Sequence, residues 1–409
     1  MNLKDYVSEI KVRIIQEQSG TNLDVSIKRW VNMSIQHIRT MENWKVLRRK
    51  RNFTTEGDYT TGTINAITVG DLNITGAATL WVTNDIRPGR RIKINDDTQG
   101  RVISAITGEG ALTLATGYGG STSAVAGLSY TILGTEEYSL PYDWGDLGFF
   151  WHEIYGYPFK LSQASGREFY DSNLTLDDSD IPQLYRLWGE DGVLAQPSTA
   201  SVLSVVSSDA GDTSQTVRVS GIVSNYPDFE DFDLNGVGAV AGSKSFTRID
   251  RVAIFDSAES PKANAGRVTI TSNTGAVTNA VIPVNFINRS LSFNKIQLYP
   301  IPNDEYVINV ECYDRLFDLV DDNDVCPLGK EYDEAIILWA CYIGRKYDQD
   351  STQAEVMRKD FEREISRLRA WNNKDNDYFK YFRSRDDSLT KGGRDCFLRF
   401  GPYYPNLFR

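Results

Sequence analysis

Apolar residues recur at steps of three and four near both ends of the chain, and at steps of two through much of its middle. In the stretch Leu291–Asn373, Tyr332, Ile336, Ala340, Ile343 and Tyr347 mark one helix face, and Met357, Phe361, Ile365 and Leu368 mark a second. Near the start, Leu3, Val7, Ile10 and Ile14 predict a helix over residues 3–17. Ser19 and Gly20 end it, Thr21, Asn22 and Asp24 offer N-caps, and Ile27, Val31, Ile35 and Ile38 carry a second helix towards Trp44. One apolar stripe per helix is the pattern of helices lying side by side. Two antiparallel helices from each end are therefore expected to close a four-helix bundle, with β material inserted between them.

From Tyr59 to Leu133 the pattern changes to short alternating runs, among them Arg91–Ile94, Arg101–Ile106, Ala111–Leu114 and Tyr130–Leu133, separated by Gly, Asn and Asp turns. Strands this short and evenly spaced predict a small barrel or sandwich. Residues 137–188 are dense in aromatics, with Trp144, Trp151, Tyr157, Phe159, Phe169, Tyr170 and Trp188. Such density suits a sugar-binding groove or, more simply, packing between domains. After Pro197, runs such as Ala200–Val206, Gln215–Gly221, Arg251–Phe255 and Arg267–Thr271 predict an immunoglobulin-like β-sandwich. The expected fold is thus a multi-domain α+β chain. Its parts are a helix pair at 1–58, a barrel-like insert at 59–135 and an aromatic connecting segment at 136–196. A sandwich insert at 197–290, strands plus a helix pair at 291–373, and a C-terminal arm at 374–409 follow.

A chain of 409 residues exceeds one compact core, and 41% apolar with 24% charged residues is ordinary for a folded protein. No apolar run approaches the ~18 residues of a membrane helix, and the first residues open directly into an amphipathic helix, unlike a signal peptide. The net charge of −11 is unevenly placed: residues 1–60 carry +4, residues 374–409 carry +3 and the body between them −18. An acidic body with mildly basic ends does not suit a tight nucleic-acid binder, and suits a surface that nucleic acid passes without sticking.

Chemistry-bearing residues are scarce. Cys312, Cys326, Cys341 and Cys396 stand apart with no C-x-x-C pair, which argues against a zinc site and a disulfide framework and for buried, reduced thiols. His37 and His152 are the only histidines, so histidine metal sites and triads are nearly excluded on supply. His152 stands beside Glu153, but neighbours on a strand point to opposite faces. The basic run Arg48–Arg51 reads either as a phosphate contact or as a charged edge strand that discourages pairing, and four charges are too few to define a groove. Gly117–Ser123 lacks the phosphate-loop pattern and reads as a hairpin tip. Asp228, Glu230, Asp231 and Asp233, and the turn Asp321–Asp324, fit no EF-hand order and read as solvated acidic loops. No catalytic, cofactor-binding or metal-binding residue is assigned.

The tail, from Phe382 to Arg409, has no helical period and mixes Gly392, Gly393, Pro402 and Pro405 with aromatics. A segment with a flexible backbone and many aromatic residues suits an arm that orders on a partner.

Taken in order, the helix pair ending at Trp44, Tyr138–Trp144, Ile181-Pro-Gln-Leu-Tyr185, Ile296–Pro302, Tyr306–Tyr313, Pro327 and the closing helices resemble the head-to-tail adaptor (connector) proteins of tailed bacteriophages, especially short-tailed ones. The resemblance covers residues 1–58, 136–192 and 291–373. It implies a non-enzymatic, dodecameric ring docked under the portal around a DNA channel, assembled in the host cytoplasm and resident in the virion neck. Helix faces carrying Ile10, Ile14, Ile35, Ile336, Ile343, Phe361 and Leu368 would pack the ring. The arm, with Arg383, Arg385, Arg394, Phe397, Phe400, Tyr403, Tyr404 and Phe408, would bind the portal. The two β inserts exceed the minimal adaptor and would hold tail nozzle or fibre proteins. A baseplate or fibre-attachment protein is the second reading, and a carbohydrate-binding or carbohydrate-active protein the third.

Overall fold

A computed structural model of the protein describes residues 1–14, 21–95, 97, 99–154, 157–171, 177–197, 199–258, 262–272 and 277–373. The chain divides into two units, Met1–Leu47 with Asp321–Arg409, and Arg48–Val320. Five α-helices occur among the described residues: α1 (Leu3–Ile14), α2 (Thr21–Met41), α3 (Gly166–Asp171), α4 (Asp333–Tyr347) and α5 (Ser351–Asn373). All but α3 belong to the first unit.

The expected α+β architecture on a four-helix bundle is overturned, because strand outweighs helix, 40% to 23%. The four long helices also fail to share an axis as equals. In α4, Ala335, Ile336, Ile337 and Leu338 are buried in succession, with Ala340, Cys341 and Gly344 beyond them. A helix apolar around most of its girth is a core helix, and α1, α2 and α5 each pack on it. Ile14 and Trp30 close over Gly344. His37 of α2 stacks on Trp339 at 4.0 Å between centroids, and Phe361 of α5 lies 4.6 Å from the same indole. Arg13 of α1 grips Glu334 through two hydrogen bonds of 2.7 and 3.1 Å.

The acidic turn before α4 has a local role. The carbonyls of Asp324 and Asp322 accept hydrogen bonds from the first-turn amides of Leu3 and Lys4, at 2.9 and 3.0 Å. Asn2 and Asp5 cap the same end reciprocally. Backbone acceptors and negative charge at a helix N-terminus satisfy its free N–H groups and its dipole. Lys28 neutralises Asp322 at 2.6 Å.

The second unit begins at Arg48, eleven residues before the barrel, because the basic run is a strand. Arg48–Thr54 pairs antiparallel with Val307–Asp314. Those two, with Trp144–Ile154 and Tyr157–Lys160, form a four-stranded sheet. Another four-stranded sheet runs Ser162–Gln163, Leu184–Asp191, Phe293–Tyr299 and Glu137–Ser139. The two share one core, where Phe150, Ile308 and Val310 meet Tyr185, Ile296 and Leu298. Arg48–Thr54, the connecting segment and the strands before α4 together make this platform.

Residues 59–132 form a six-stranded sheet in the order 63–64, 73–77, 111–114, 101–108, 91–94, 130–132. Backbone pairs Tyr59–Ile132 and Ile64–Leu128 join its first and last strands into a closed ring. Trp81 fills the interior and donates its indole N–H to the Tyr130 hydroxyl at 3.0 Å. Residues 201–290 form one seven-stranded sheet rather than the two sheets of an immunoglobulin-like sandwich. The reason is the sixteen-residue strand Val240–Phe255, whose first half pairs with Ser201–Ser207 and whose second half pairs with Thr216–Val223. The hairpin from Thr216–Val223 to Tyr226–Asp233 turns on Ser224 and Asn225, both at positive φ. Such a pair matches the strand twist of a two-residue hairpin.

Candidate interaction surfaces

The helix positions expected to pack a ring are already occupied. Ile10, Ile14, Ile35, Ile336, Phe361 and Leu368 are buried within the first unit, and Ile343 is half-buried. Val12, Val25, Met33 and Val356 of α1, α2 and α5 are exposed. The arm residues Arg383, Arg385, Arg394, Phe397, Phe400, Tyr403, Tyr404 and Phe408 lie outside the described residues, as does Cys396.

Candidate chemical groups resolve into structural ones. Cys312, Cys326 and Cys341 are free and buried, and burial pushes the thiols of Cys312 and Cys341 up to about 11 and about 12. Among the described residues no group of His, Cys, Asp and Glu is placed to hold a metal. Asp228 pairs with Lys244 and Asp231 with Arg218, both at 2.7 Å, while Glu230 accepts from Ser243. The basic run is likewise spent locally. Arg48 pairs with Glu311, Arg49 with Asp314, and Arg51 with both Asp314 and Asp143. Lys50 lies over the Trp151 ring at 5.2 Å.

His152 is buried between Phe159 and Tyr306, and burial lowers its pKa below the ordinary histidine value. The unfolded chain therefore takes up the proton first. As pH falls through about 6.5, the unfolded state gains stability until the folded pKa is reached, so acidification costs stability in that window and not above it. His152→Phe should lose less stability between neutral and mildly acidic pH than the parent chain, as read by denaturant titration. An unchanged pH slope would show that the ring is not desolvated.

A cleft of about 1060 Å³ lies among the barrel, the platform and the seven-stranded sheet. Its cations are largely committed: Arg87 to Asp85, Arg248 to Asp250, Lys295 to Glu137 and Asp191, and Arg90 to the carbonyls of Leu133 and Gly57. The carboxyl of Glu136 on its wall is raised by burial.

The platform's aromatics divide in two. Trp144, Phe150, Phe169 and Tyr185 are buried, while Phe149, Tyr157, Phe159, Tyr170 and Trp188 face solvent with Leu187. Phe149 and Trp151 are overlaid by Lys160 and Lys50. Trp188 is different, because it is the extra residue of a β-bulge. Leu187 pairs with Ile296 and Gly189 with Lys295, leaving Trp188 without an opposite number. Gly189 adopts φ 142°, in the region favouring glycine. Bulges re-aim side chains. Here the Arg186 guanidinium carbon sits 3.9 Å from the Trp188 ring centroid and 5.0 Å from that of Tyr170, fixing both rings. The sequence hint is the glycine after Trp188 inside a strand, which often marks a bulge.

Residues 194–385 match the SU10 adaptor protein family, just under half of the chain. The match includes the seven-stranded sheet, read above as a decoration beyond the minimal adaptor, and runs through α4 and α5. The barrel lies outside it. No curated protein matches the chain.

Proposed function

We propose that this chain is a structural adaptor of a short-tailed phage. Copies assemble into a dodecameric ring beneath the portal, with residues 374–409 as the portal-binding arm and DNA passing through the channel. The observation that carries this reading is the match to the SU10 adaptor protein family over residues 194–385. The charge arrangement on α5 agrees with DNA that slides past. Arg358 pairs with Glu355 and Glu362, Arg363 with Asp360, and Arg367 with Glu364. Cations held by carboxylates on their own helix release few counterions from a passing duplex. The barrel, outside the matched region, is the proposed seat of a nozzle or fibre protein.

The test is light-scattering mass of the purified chain, alone and with a cognate portal ring. The full chain should join the portal stoichiometrically, and a chain ending at Asn373 should lose that complex while keeping its helical signal. A truncated chain that binds equally well would remove the arm from the interface. A full-length chain that ignores the portal would overturn the adaptor reading.

A further inference from the structure

We infer that the cleft beside the barrel takes up an extended, acidic peptide segment of a partner protein by strand addition. Two features of its walls point to that ligand. The first is an open sheet edge. Glu137–Ser139 is the outermost strand of its sheet. Leu298 N–H donates to the Glu136 carbonyl, and Leu140 N–H to the Asn294 carbonyl, both at 2.8 Å. Tyr138, opposite Ile296, keeps the same phase. Alternate residues of an antiparallel edge turn their N–H and C=O groups outwards. Glu137 and Ser139 therefore aim theirs away from the sheet, and both residues line the cleft. Among the described residues no backbone group pairs with them. On the facing wall, Arg101–Gly108 runs past its partner Arg91–Ile94, whose register covers only Arg101 and Val102. Ser104 to Thr107 stand there along the cleft.

The second feature is Arg91. Ile92 and Ile94 fill the barrel interior, so Arg91, one step along the same strand, projects outwards into the cleft. Its Nε is buried without an acceptor, and among the described residues its guanidinium makes no ion pair. The carboxylates around it do not supply one. Asp177 accepts from Gly100 N–H at 2.7 Å and pairs with Lys93 at 3.6 Å. Glu136 attracts Arg91 without bonding to it, and burial raises the Glu136 carboxyl. A buried donor left open is costly, and a carboxylate is the acceptor that best matches a guanidinium. A small anion would answer Arg91 but leave the Glu137 and Ser139 carbonyls bare. An extended peptide offers donors and acceptors in alternation, so its backbone meets the edge while one acidic side chain meets Arg91. The cleft, at about 1060 Å³, matches the upper end of the ~300–1,000 Å³ usual for ligand pockets. Other edges are closed to such pairing. Tyr157–Lys160 contains Pro158 and Tyr226–Asp233 contains Pro227, neither with an N–H to give. This site is independent of the ring and the arm.

The experiment titrates the full chain with three acetylated, amidated heptapeptides of alternating valine and threonine. Each carries one aspartate, at the second, fourth or sixth position, and each has an asparagine counterpart. Amide hydrogen exchange at Glu137 and Ser139 reads the edge itself. At least one aspartate peptide should slow both amides and bind about 30-fold more tightly than its counterpart, the worth of a charged hydrogen bond. Arg91→Gln removes a side chain that donates to nothing in the folded chain, so it should fold as the parent does and lose that preference. Ser139→Pro deletes an N–H that the ladder does not use, and should abolish binding with the thermal midpoint kept. If no peptide slows either amide at millimolar concentration, the inference falls. If succinate alone displaces the peptide at equal concentration, the cleft is a small-anion site and strand addition falls. If Arg91→Gln keeps the preference for aspartate, the carboxylate sits elsewhere and the assignment of Arg91 is overturned.

Discussion

Gly344→Val is expected to destabilise the helical unit by about 3 kcal/mol, the upper range for forcing extra carbon into a filled site. A Cβ at this position would stand 2.5 Å from Ile14 Cδ1 and 2.9 Å from Trp30 Cζ3. The isoleucine methyl can rotate aside, but the indole is rigid and packed on α4. Glycine is itself costly inside a helix, so Gly344→Ala recovers about 1 kcal/mol of helix propensity against its clash and should end only mildly destabilised. Valine adds two more carbons at the same place with little further propensity to gain. Denaturation followed by helical ellipticity should therefore rank the parent first, alanine second and valine last. A stabilised alanine variant would mean that α1 and α2 do not close on α4 as tightly as the geometry requires.

That hub was partly legible in the sequence. Ala335 to Leu338 are four consecutive apolar residues, a sign of burial on more than one face, yet the three-and-four spacing drew attention to a single stripe through Ile343 and Tyr347. Tyr347 is in fact 80% exposed, because the stripe drifts off the core at the helix end. Helix periodicity is local, and the positions of α1, α2, α4 and α5 follow from it well. Strand membership is not local. Arg48–Thr54 finds its partner in Val307–Asp314, some 250 residues away, so nothing near the basic run announces a platform strand. The bulge at Trp188 depends equally on its register with Phe293–Tyr299. The seven-stranded sheet departed from the expected sandwich because one long strand, Val240–Phe255, serves both halves, and periodicity does not say where a strand changes partners. The role of the acidic turn Asp321–Asp324 as a cap for α1 needed the fold to bring residue 322 beside residue 4.

The sheet within the matched region should be as sensitive as the helices at one buried carboxylate. Asp212 is 1% exposed, and its two oxygens take three hydrogen bonds. Ala265 N–H donates to Oδ1 at 2.7 Å, and Gly266 N–H at 2.9 Å and the Ser207 hydroxyl at 2.5 Å donate to Oδ2. Its own carbonyl accepts from Gly236 N–H at 2.8 Å, so one residue ties three segments at this end of the sheet. Asp212→Ala leaves the Gly266 N–H and the Ser207 hydroxyl buried without acceptors and the partly exposed Ala265 N–H unpaired, and at about 1–3 kcal/mol for each buried orphan a total loss of about 4 kcal/mol is expected. Asp212→Asn separates charge from shape. The Ser207 hydroxyl can reverse to accept from the new amide, but one backbone N–H must then face an NH₂ group, so about half of that loss should remain. Global denaturation measures the total, and amide hydrogen exchange at residues 265 and 266 reads the knot itself: both amides should lose protection in Asp212→Ala, and one of them in Asp212→Asn. Full protection in either variant would show that water replaces the carboxylate at little cost, and that the sheet end is held by its strand pairing alone.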